Sequence, residues 1–301
     1  MTSTKFKYLF NSDDYDSSNG KTLYDNSGND DDATYTNSSF SGSDTWSTDT
    51  PYNVSIEPLN LTDSSNTGKE LGPYSFNFTT ARYFNHNLSS SWSGSFTFTM
   101  WFKPTETMHR WDSIFSSSDD SSNTNTWQLD SNGSGTIRIL VNGGGGNYDI
   151  DTYSINEWQH VAISFKYNET LSNRELKVYY NSVLKNTFTS STDTALLEGT
   201  NFSFEKYKIG KNRDTDKNFA GFISGVMLFD SVLNSTQISN IYNYNSISGS
   251  ATGDPHINTL FGKTYKFDYL GPFRMFDNNE EGENKIVING ISEYGEAIRW
   301  K

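Results

Sequence analysis

The chain has 301 residues, a formal charge of −13 at pH 7 and no Cys, and its 21 Phe, 18 Tyr and 7 Trp stand out within a hydrophobic content of only 33%. This length allows one large domain and a smaller unit, and the ring content predicts an aromatic rather than an aliphatic core. The negative charge argues against binding to nucleic acid or anionic membranes, and the absence of Cys excludes disulfides and thiolate metal sites. No apolar run approaches the length of a membrane span.

Apolar residues that alternate with polar ones predict strands through the first half of the chain. The run KFKYLF at residues 5–10 is the first, and Gly28 would allow a positive φ in a turn at residues 23–29. Further strands are predicted at residues 74–84, 95–102, 127–129 and 136–141. The Asp-, Ser- and Asn-rich segments 30–71 and 116–125 predict surface loops, the first of them around one or two short strands.

The strongest strand signal lies in the middle of the chain. Residues 156–165 read NEWQHVAISF and residues 175–181 read ELKVYYN, and both alternate with a period of two. They predict two neighbouring antiparallel strands joined by the polar loop 166–174. Trp158, just ahead of the first of these strands, is predicted to close one edge of the core.

The regions on either side of this central pair supply the remaining elements. Residues 143–146 are four glycines, but no Lys-Ser or Lys-Thr pair and no helical pattern follows them, so a flexible hairpin loop is predicted rather than a phosphate loop. Residues 236–242 predict a short helix.

Four segments, in this order, resemble the laminin-G-like, concanavalin-A-like and pentraxin-related jelly-roll modules. They are FTFTMWFKP at 96–104, W-x-H-V-A at 158–162, a segment at 207–233 similar to the family's closing pair of strands, and the helix at 236–242, although Ser182 stands where the family has a turn Gly. The resemblance implies an all-β fold over residues 1–245, an antiparallel two-sheet jelly-roll sandwich. That fold carries many activities, so the function needs separate arguments.

A second resemblance begins after the small-residue linker at 246–252. Residues 253–276, GDPHINTLFGKTYKFDYLGPFRMF, are similar to the opening of a von Willebrand factor type D module, which implies a small, partial β unit over residues 253–301. Some modules with this G-D-P-H motif cleave themselves between Asp and Pro. The resemblance thus implies Asp254 as the nucleophile, the Pro255 nitrogen as the leaving group and His256 as a residue that assists the proton transfer. The alternative is a simple turn that enters a strand.

Acidic and amide side chains suggest calcium as the cofactor, because calcium prefers oxygen ligands. The best candidate site is the alternating set Asp214, Asp216 and Asn218, and a plain solvated turn is the alternative. Rival positions are Asp25 with Asn29, and Asp149 with Asp151. The four His residues are scattered without the spacing of zinc ligands, and His160 is predicted to be a hydrogen-bonded residue of the sandwich.

Exposed rings beside hydroxyl-binding groups would suit a sugar. The candidate ligand-binding residues are Trp111, Tyr148, Tyr153, Asp149 and Asp151, with Trp46 and Trp92 as further loop aromatics. Hydrolases of the concanavalin-A-like fold need paired carboxylates on one strand, written E-x-D-x-x-E, and the chain has no such string. A hydrolase would therefore depend on loop acids such as Asp149 and Asp151.

We therefore expect a non-catalytic recognition or adhesion module that binds glycans or glycoproteins, with calcium assisting. The expected location is extracellular, at a cell or virion surface, as part of a larger protein, although residues 1–10 lack the apolar core of a signal peptide. One alternative is a structural component of a virion or fibre that binds only sibling subunits. The other is a loop-based glycoside hydrolase.

Overall fold

The computed structural model describes two compact units, one built from residues between 4 and 242 and one from strands beyond residue 250. The described residues are 4–10, 22–35, 46–51, 74–78, 82–119, 122–141, 146–167, 174–189, 202–213, 217–243 and six short strands between 251 and 300. Side chains at 89–93, 118–119, 122–125 and 203–204, and all those beyond 242, are outside this description. No helix of the described residues is long and apolar enough to cross a membrane.

The first unit is built almost entirely from strands. In chain order they are β1 (Thr4–Tyr8), β2 (Thr22–Leu23), β3 (Ala33–Tyr35), β4 (Trp46–Ser47), β5 (Ser75–Phe78), β6 (Phe84–Ser93), β7 (Phe96–Pro104), β8 (Ser113–Asp119), β9 (Ser122–Ser131), β10 (Thr136–Val141), β11 (Gly146–Thr152), β12 (Gln159–Lys166), β13 (Glu175–Tyr180), β14 (Val183–Thr189), β15 (Ser203–Ile209) and β16 (Gly221–Phe229). One helix, α1 (Ser235–Asn243), follows them.

These strands form two eight-stranded sheets. The first sheet has the order β14-β13-β12-β7-β16-β5-β4, with β1 pairing to β16 beside β5, and the second has the order β11-β10-β9-β8-β15-β6-β3-β2. Every strand pair in both sheets is antiparallel. The predicted fold class, an all-β two-sheet sandwich, is confirmed.

The core between the sheets is aromatic, as the composition predicted. Trp127 of β9 is fully buried, and its ring centroid lies 4.9 Å from that of Phe115, 5.2 Å from that of Phe98 and 5.8 Å from that of Phe96. Phe98 lies on the first sheet and Phe115 on the second, so Trp127 joins the two layers. Offset and edge-to-face ring pairs add to the stabilisation from burial of their area.

Helix α1 covers part of the outer face of the first sheet. It begins with a reciprocal cap in which Asn234 Oδ1 accepts from the Gln237 backbone N at 2.9 Å, while Gln237 Oε1 accepts from the Asn234 backbone N at 2.9 Å. Ile238 of the helix packs with Ala162 and Tyr179 in a small apolar cluster separate from the main core. The predicted helix at 236–242 is confirmed.

Two details of the sequence prediction are wrong. Residues 116–125 were predicted as a loop, but β8 and β9 extend through most of this segment, with Asp119 paired to Ser122, because backbone pairing continues where the side chains are polar. Trp158 was predicted in the core. It is instead half-buried on the surface, where its Nε1 donates to Asp49 Oδ1 at 2.9 Å.

Strand β14 was not predicted from the sequence. It is the last strand of the first described sheet, and Val183 and Leu184 are exposed there. Its Lys185 Nζ lies 2.6 Å from Asp151 Oδ2 on β11, the last strand of the other sheet. This ion pair connects the two sheets at the side of the sandwich.

The second unit contains two three-stranded sheets. They are formed by β17 (Ala251–Thr252), β18 (His256–Asn258) and β19 (Thr264–Lys266), and by β20 (Gly271–Asp277), β21 (Val287–Ser292) and β22 (Arg299–Trp300). Asp254 and Pro255 lie outside the described residues, and His256 is described only as the first residue of β18. The proposed linker at 246–252, the domain boundaries and the type D resemblance stay predictions.

We predict that Trp127→Ala lowers the free energy of unfolding by about 3–5 kcal/mol, because it leaves a cavity where the two sheets meet. Trp158→Ala is the matched control, and it should cost about 1 kcal/mol, since it removes a half-buried ring with one surface hydrogen bond. Urea unfolding of the full chain measures both. Equal losses for the two variants would contradict this account of the core.

Candidate functional site

The outer face of the second sheet carries a row of polar side chains. Trp127 and Leu129 of β9 belong to the core, so Gln128 and Asp130 between and beside them project to the opposite face. The strand register sets Arg138 of β10 opposite Asp130 on one side and opposite Asp149 of β11 on the other. Three adjacent strands thus bring charged groups side by side.

A buried hydrogen-bond network connects this row. Arg138 Nε donates to Asp130 Oδ1 at 2.7 Å, and Gln128 Nε2 donates to Asp130 Oδ2 at 2.6 Å. Arg138 Nη1 also donates to Asn147 Oδ1 at 3.2 Å. Asp130 and Arg138 are both buried, whereas Asn147 and Asp149 are exposed. The buried pair therefore supports exposed polar groups on the neighbouring strand.

Burial raises the pKa of the Asp130 carboxyl, although Arg138, Gln128 and the more distant Arg110 each act to lower it. A buried carboxylate of this kind depends on its partners, since removing one of them leaves a charge without compensation. The local stability of the sheet therefore depends on these hydrogen bonds on its outer face.

A turn that precedes β8 carries the exposed Trp111, whose side chain is 42% accessible. Its φ is 72°, in the left-handed region that bulky residues rarely adopt. Trp111 N donates to the Ser131 carbonyl at 2.9 Å, and Ser131 N donates to the Asp112 carbonyl at 3.1 Å. His109 N also donates to Asp112 Oδ2 at 2.6 Å. Bonds on both sides of Trp111 hold this unfavourable conformation in place.

Close packing further restrains the same turn. A Cβ on Gly133, which has φ +83°, would lie 2.9 Å from the Cβ of Arg110, so the absence of a side chain at 133 allows the turn to approach the β9–β10 hairpin. The Arg110 guanidinium lies 4.7 Å from the centroid of the Trp111 ring, within the range of a cation–π contact. The indole therefore faces solvent on a turn whose backbone conformation is held in place.

Three of the candidate aromatic residues do not face solvent. Tyr148 is 2% exposed, with its ring 4.4 Å from that of Phe188. Tyr153 is buried, and its hydroxyl accepts from Met108 N at 2.8 Å. Trp46 is also buried. These rings pack inside the protein and offer no face to a ligand, which corrects their assignment, while the side chain of Trp92 lies outside the described residues.

The two candidate carboxylates on β11 differ in their surroundings. Asp149 is exposed, whereas Asp151 forms the ion pair with Lys185 and also accepts from Thr152 N at 2.9 Å. Burial alone would raise the pKa of the Asp151 carboxyl, but the hydrogen bonds from Lys185 and Thr152 outweigh it and lower that pKa. Asp151 is therefore engaged in joining the sheets.

The candidate calcium residues are only partly described. Asp214 and Asp216 lie outside the described residues, while the flanking residues are joined by a hydrogen bond from Asn212 N to the Lys217 carbonyl at 2.9 Å. Arg213 Nη1 donates to Thr126 Oγ1 at 2.7 Å on the outer face of the second sheet. Arg213, which directly precedes Asp214, therefore lies against the same face as the polar row.

The rival calcium position near the N-terminus does not fit a metal ion. The Asp25 carboxylate accepts hydrogen bonds from Lys7 N, Ser27 N, Ser27 Oγ and Asp31 N at 2.6–3.3 Å, so both of its oxygens are already occupied within the turn. The Asn29 amide nitrogen donates to the carbonyls of Thr4 and Lys5. Within the described part of the chain, no three His, Asp or Glu side chains are grouped closely enough to hold a metal.

The sequence analysis missed Gln128, Asp130 and Asn147 as parts of one surface, and it mentioned none of them as candidates. A signal was available in the alternation itself. In the segments WQLD at 127–130 and IRI at 137–139, polar residues alternate with residues assigned to the core, and alternation places such polar groups on one face. What the sequence does not give is the strand order that brings them together.

Comparison with known families agrees with this architecture. Residues 78–239, more than half of the chain, match the laminin G family described as the concanavalin A-like lectin/glucanases superfamily. The chain belongs to this superfamily. This confirms the resemblance seen in the sequence between residues 96 and 239. No curated protein matches the chain.

Several solved structures share the fold of this superfamily member. The binding domain of botulinum neurotoxin DC, solved with rat synaptotagmin II, is 13% identical with a TM-score of 0.52, and the match covers 97% of this chain and 62% of that one. A botulinum neurotoxin type C structure is 15% identical with a TM-score of 0.50, covering 97% and 62%. Domain 4 of the Geobacillus stearothermophilus arabinanase AbnA is 18% identical with a TM-score of 0.49, covering 80% and 98%. The match thus spans less than two thirds of the toxin chains, and the likeness to these toxin structures shows the fold alone.

We predict that Arg138→Met destabilises the protein by about 3–5 kcal/mol, because it leaves the Asp130 carboxylate buried without its cation. The double variant Arg138→Met with Asp130→Leu should recover most of that loss, since it removes both charges together. Chemical denaturation of the single and double variants measures the difference. A double variant as unstable as the single one would show that the pair is not the source of the loss.

Proposed function

We propose that the sandwich is a non-catalytic recognition module that binds glycans, free or on glycoproteins, on the outer face of its second sheet. The observation that carries this proposal is the position of Trp111. An exposed indole is held in an unfavourable backbone conformation by hydrogen bonds on both sides, and one of these bonds is to Ser131, the residue that follows Asp130 of the polar row. Strain of this kind is retained where a defined geometry is useful.

The chemistry of the face suits a sugar. The Trp111 ring offers an apolar surface against which the C–H face of a pyranose or furanose ring can stack. Asn147 and Asp149 on β11 are both exposed, and Asp149 supplies a carboxylate that can accept from a sugar hydroxyl. Since the network beneath is already formed, binding requires little ordering of the protein.

The relatives support this choice without deciding it. Lectins are part of the superfamily to which the chain belongs. Cell entry of botulinum neurotoxin type C depends on interaction with two ganglioside molecules, and gangliosides are glycolipids. A protein with a domain of this fold is therefore engaged by glycans.

The alternative of a loop-based glycoside hydrolase has less support. Such an enzyme needs one carboxylic acid with a raised pKa opposite a second carboxylate. On the described part of the polar face, Asp130 is enclosed by Arg138 and Gln128, and the pKa of Asp151 is lowered by Lys185. Asp149 remains without a suitable partner carboxylate in this described surface. We therefore favour recognition over catalysis.

The setting of the module is part of the same proposal. We place the protein outside the cell or on a virion, within a larger surface assembly, because the order of a recognition sandwich and a type D-like unit suits adhesive proteins. Self-cleavage between Asp254 and Pro255 is proposed only on the G-D-P-H motif. The alternative, a structural subunit that binds sibling chains, predicts no glycan ligand at all.

We predict that Trp111→Ala lowers glycan affinity at least tenfold while the thermal midpoint changes little, because the ring is exposed. The measurement is a glycan array with the full chain, followed by titration of the best ligand. Trp158→Ala is the control, since Trp158 is a half-buried surface indole outside the second sheet. If no glycan on the array binds the unmodified chain, the structural alternative replaces this proposal.

Calcium at the loop 214–218 is proposed as an aid to the same face. Its support is the spacing of Asp214, Asp216 and Asn218 and the hydrogen bond between the flanking residues Asn212 and Lys217. The ion would hold the loop that meets the polar face through Arg213.

We predict that calcium at about ten times its dissociation constant raises the thermal midpoint of the full chain by about 3–6 °C, because the ligand binds only the folded state. A chelator should reverse the shift, and Asp214→Ala should abolish it. Asp149→Ala is the matched control and should retain the shift. A shift that survives in Asp214→Ala would place the ion elsewhere.

A further inference from the structure

A buried histidine lies beneath the helix of the first unit. His160 of β12 projects to the outer face of the first sheet, between Trp101 of β7, at 5.0 Å between ring centroids, and Tyr242 of α1, at 5.8 Å. It is 0% exposed, and neither ring nitrogen has a hydrogen-bond partner among the described residues. The sequence predicted a hydrogen-bonded histidine, whereas only its backbone N is bonded, to Asn181 Oδ1 at 2.8 Å.

The groups that face His160 offer it no compensating charge. Helix α1 has the sequence STQISNIYN, which contains no charged residue, and it contributes the Tyr242 ring. On β7 the next outward residue after Trp101 is Lys103, and its ammonium is paired with Asp49 at 2.6 Å. On β16 the register places Ser224 beside Trp101.

Strand β13, on the other side of β12, is equally unable to compensate a positive charge. It presents Tyr179 to the helix cluster. The next outward residue is Lys177, which lies 2.7 Å from Glu175. Without a carboxylate beside it, burial lowers the pKa of His160 to about 3. An imidazolium is therefore incompatible with the closed arrangement.

The cover over this histidine packs outside the main core. Helix α1 has nine residues, a length at which an isolated helix is marginal. It packs through a small cluster with Ala162 and Tyr179 rather than through the main core, and Tyr242 stacks on Trp101 at 5.1 Å. Its detachment would expose this apolar patch and leave both sheets paired.

We propose that α1 is a proton-released cover, which detaches from the first sheet when His160 takes up a proton. In the open form, with α1 detached, His160 binds a proton with a pKa near the ordinary histidine value, so acidification favours opening. Between pH 7 and pH 5 the opening constant should rise roughly 25-fold, from the ordinary pKa of about 6.5 for an exposed histidine. Above pH 7 the opening constant does not rise, and as the pH falls from about 6 toward 3 it rises by up to tenfold per pH unit. This inference stands independently of glycan binding.

The test is amide hydrogen exchange of the full chain at pH 7 and pH 5, corrected for intrinsic exchange rates. The amides of Ile238–Tyr242 should show the roughly 25-fold increase in opening. The amide of Trp127 in the main core should show a much smaller change. Equal pH dependence at both places would mean global unfolding and would overturn the proposal.

Two variants sharpen the result. His160→Gln keeps a polar side chain that does not titrate, so the helix amides should lose their excess pH dependence, and retention of it would assign the effect to another group. Tyr242→Ala weakens the cover and keeps the titrating histidine. It should raise opening of the helix at both pH values while the ratio between them stays the same, and an unchanged opening constant would show that Tyr242 does not hold the cover.

Discussion

The structure depends on the contact between the two sheets through Trp127 and the rings around it. A thin sandwich with few aliphatic residues is stable only if each buried side chain contributes a large area. This requirement assigns alternate residues of β7, β9, β10 and β12 to the interior. Because side chains alternate along a strand, the residues between them must point to the outer faces. The packing of the core therefore also determines which residues lie on both outer faces.

The two outer faces solve the problem of buried polar groups in different ways. On the second sheet, Asp130 has a guanidinium and an amide as partners, and each oxygen is occupied. On the first sheet, His160 is enclosed by rings and aliphatic groups and makes no side-chain bond with the described residues. A compensated charge rigidifies its surroundings, whereas an uncompensated imidazole remains compatible with burial only in its neutral form. From this difference we expect the side chains of the polar row to be rigid and the attachment of α1 to depend on pH.

Much of the fold was predictable because its signals are local. The alternation in FTFTMWFKP and NEWQHVAISF depends on period alone, and the reciprocal cap of α1 depends on Asn234 and Gln237 at fixed spacing. The candidate site depends on which strands are neighbours. Tyr148 and Asp149 are adjacent in sequence, and only the pairing of β11 with β10 decides that the first enters the core and the second faces water. Trp111 was predictable as an aromatic residue near a loop, but its restrained backbone was not, because the bonds that hold it come from Ser131 on another hairpin.

The exposed strand β14 has a consequence for the behaviour of the protein in concentrated solution. Sheets that end in an accessible strand can be extended by a strand of another chain, and a charged side chain along the edge discourages this. In β14 Lys185 pairs with Asp151 of the other sheet, and among the described residues the apolar pair Val183 and Leu184 is exposed beside it. Self-association of this protein should therefore begin from its folded form by lateral growth of the first sheet, and mild conditions that preserve the native state would not prevent it.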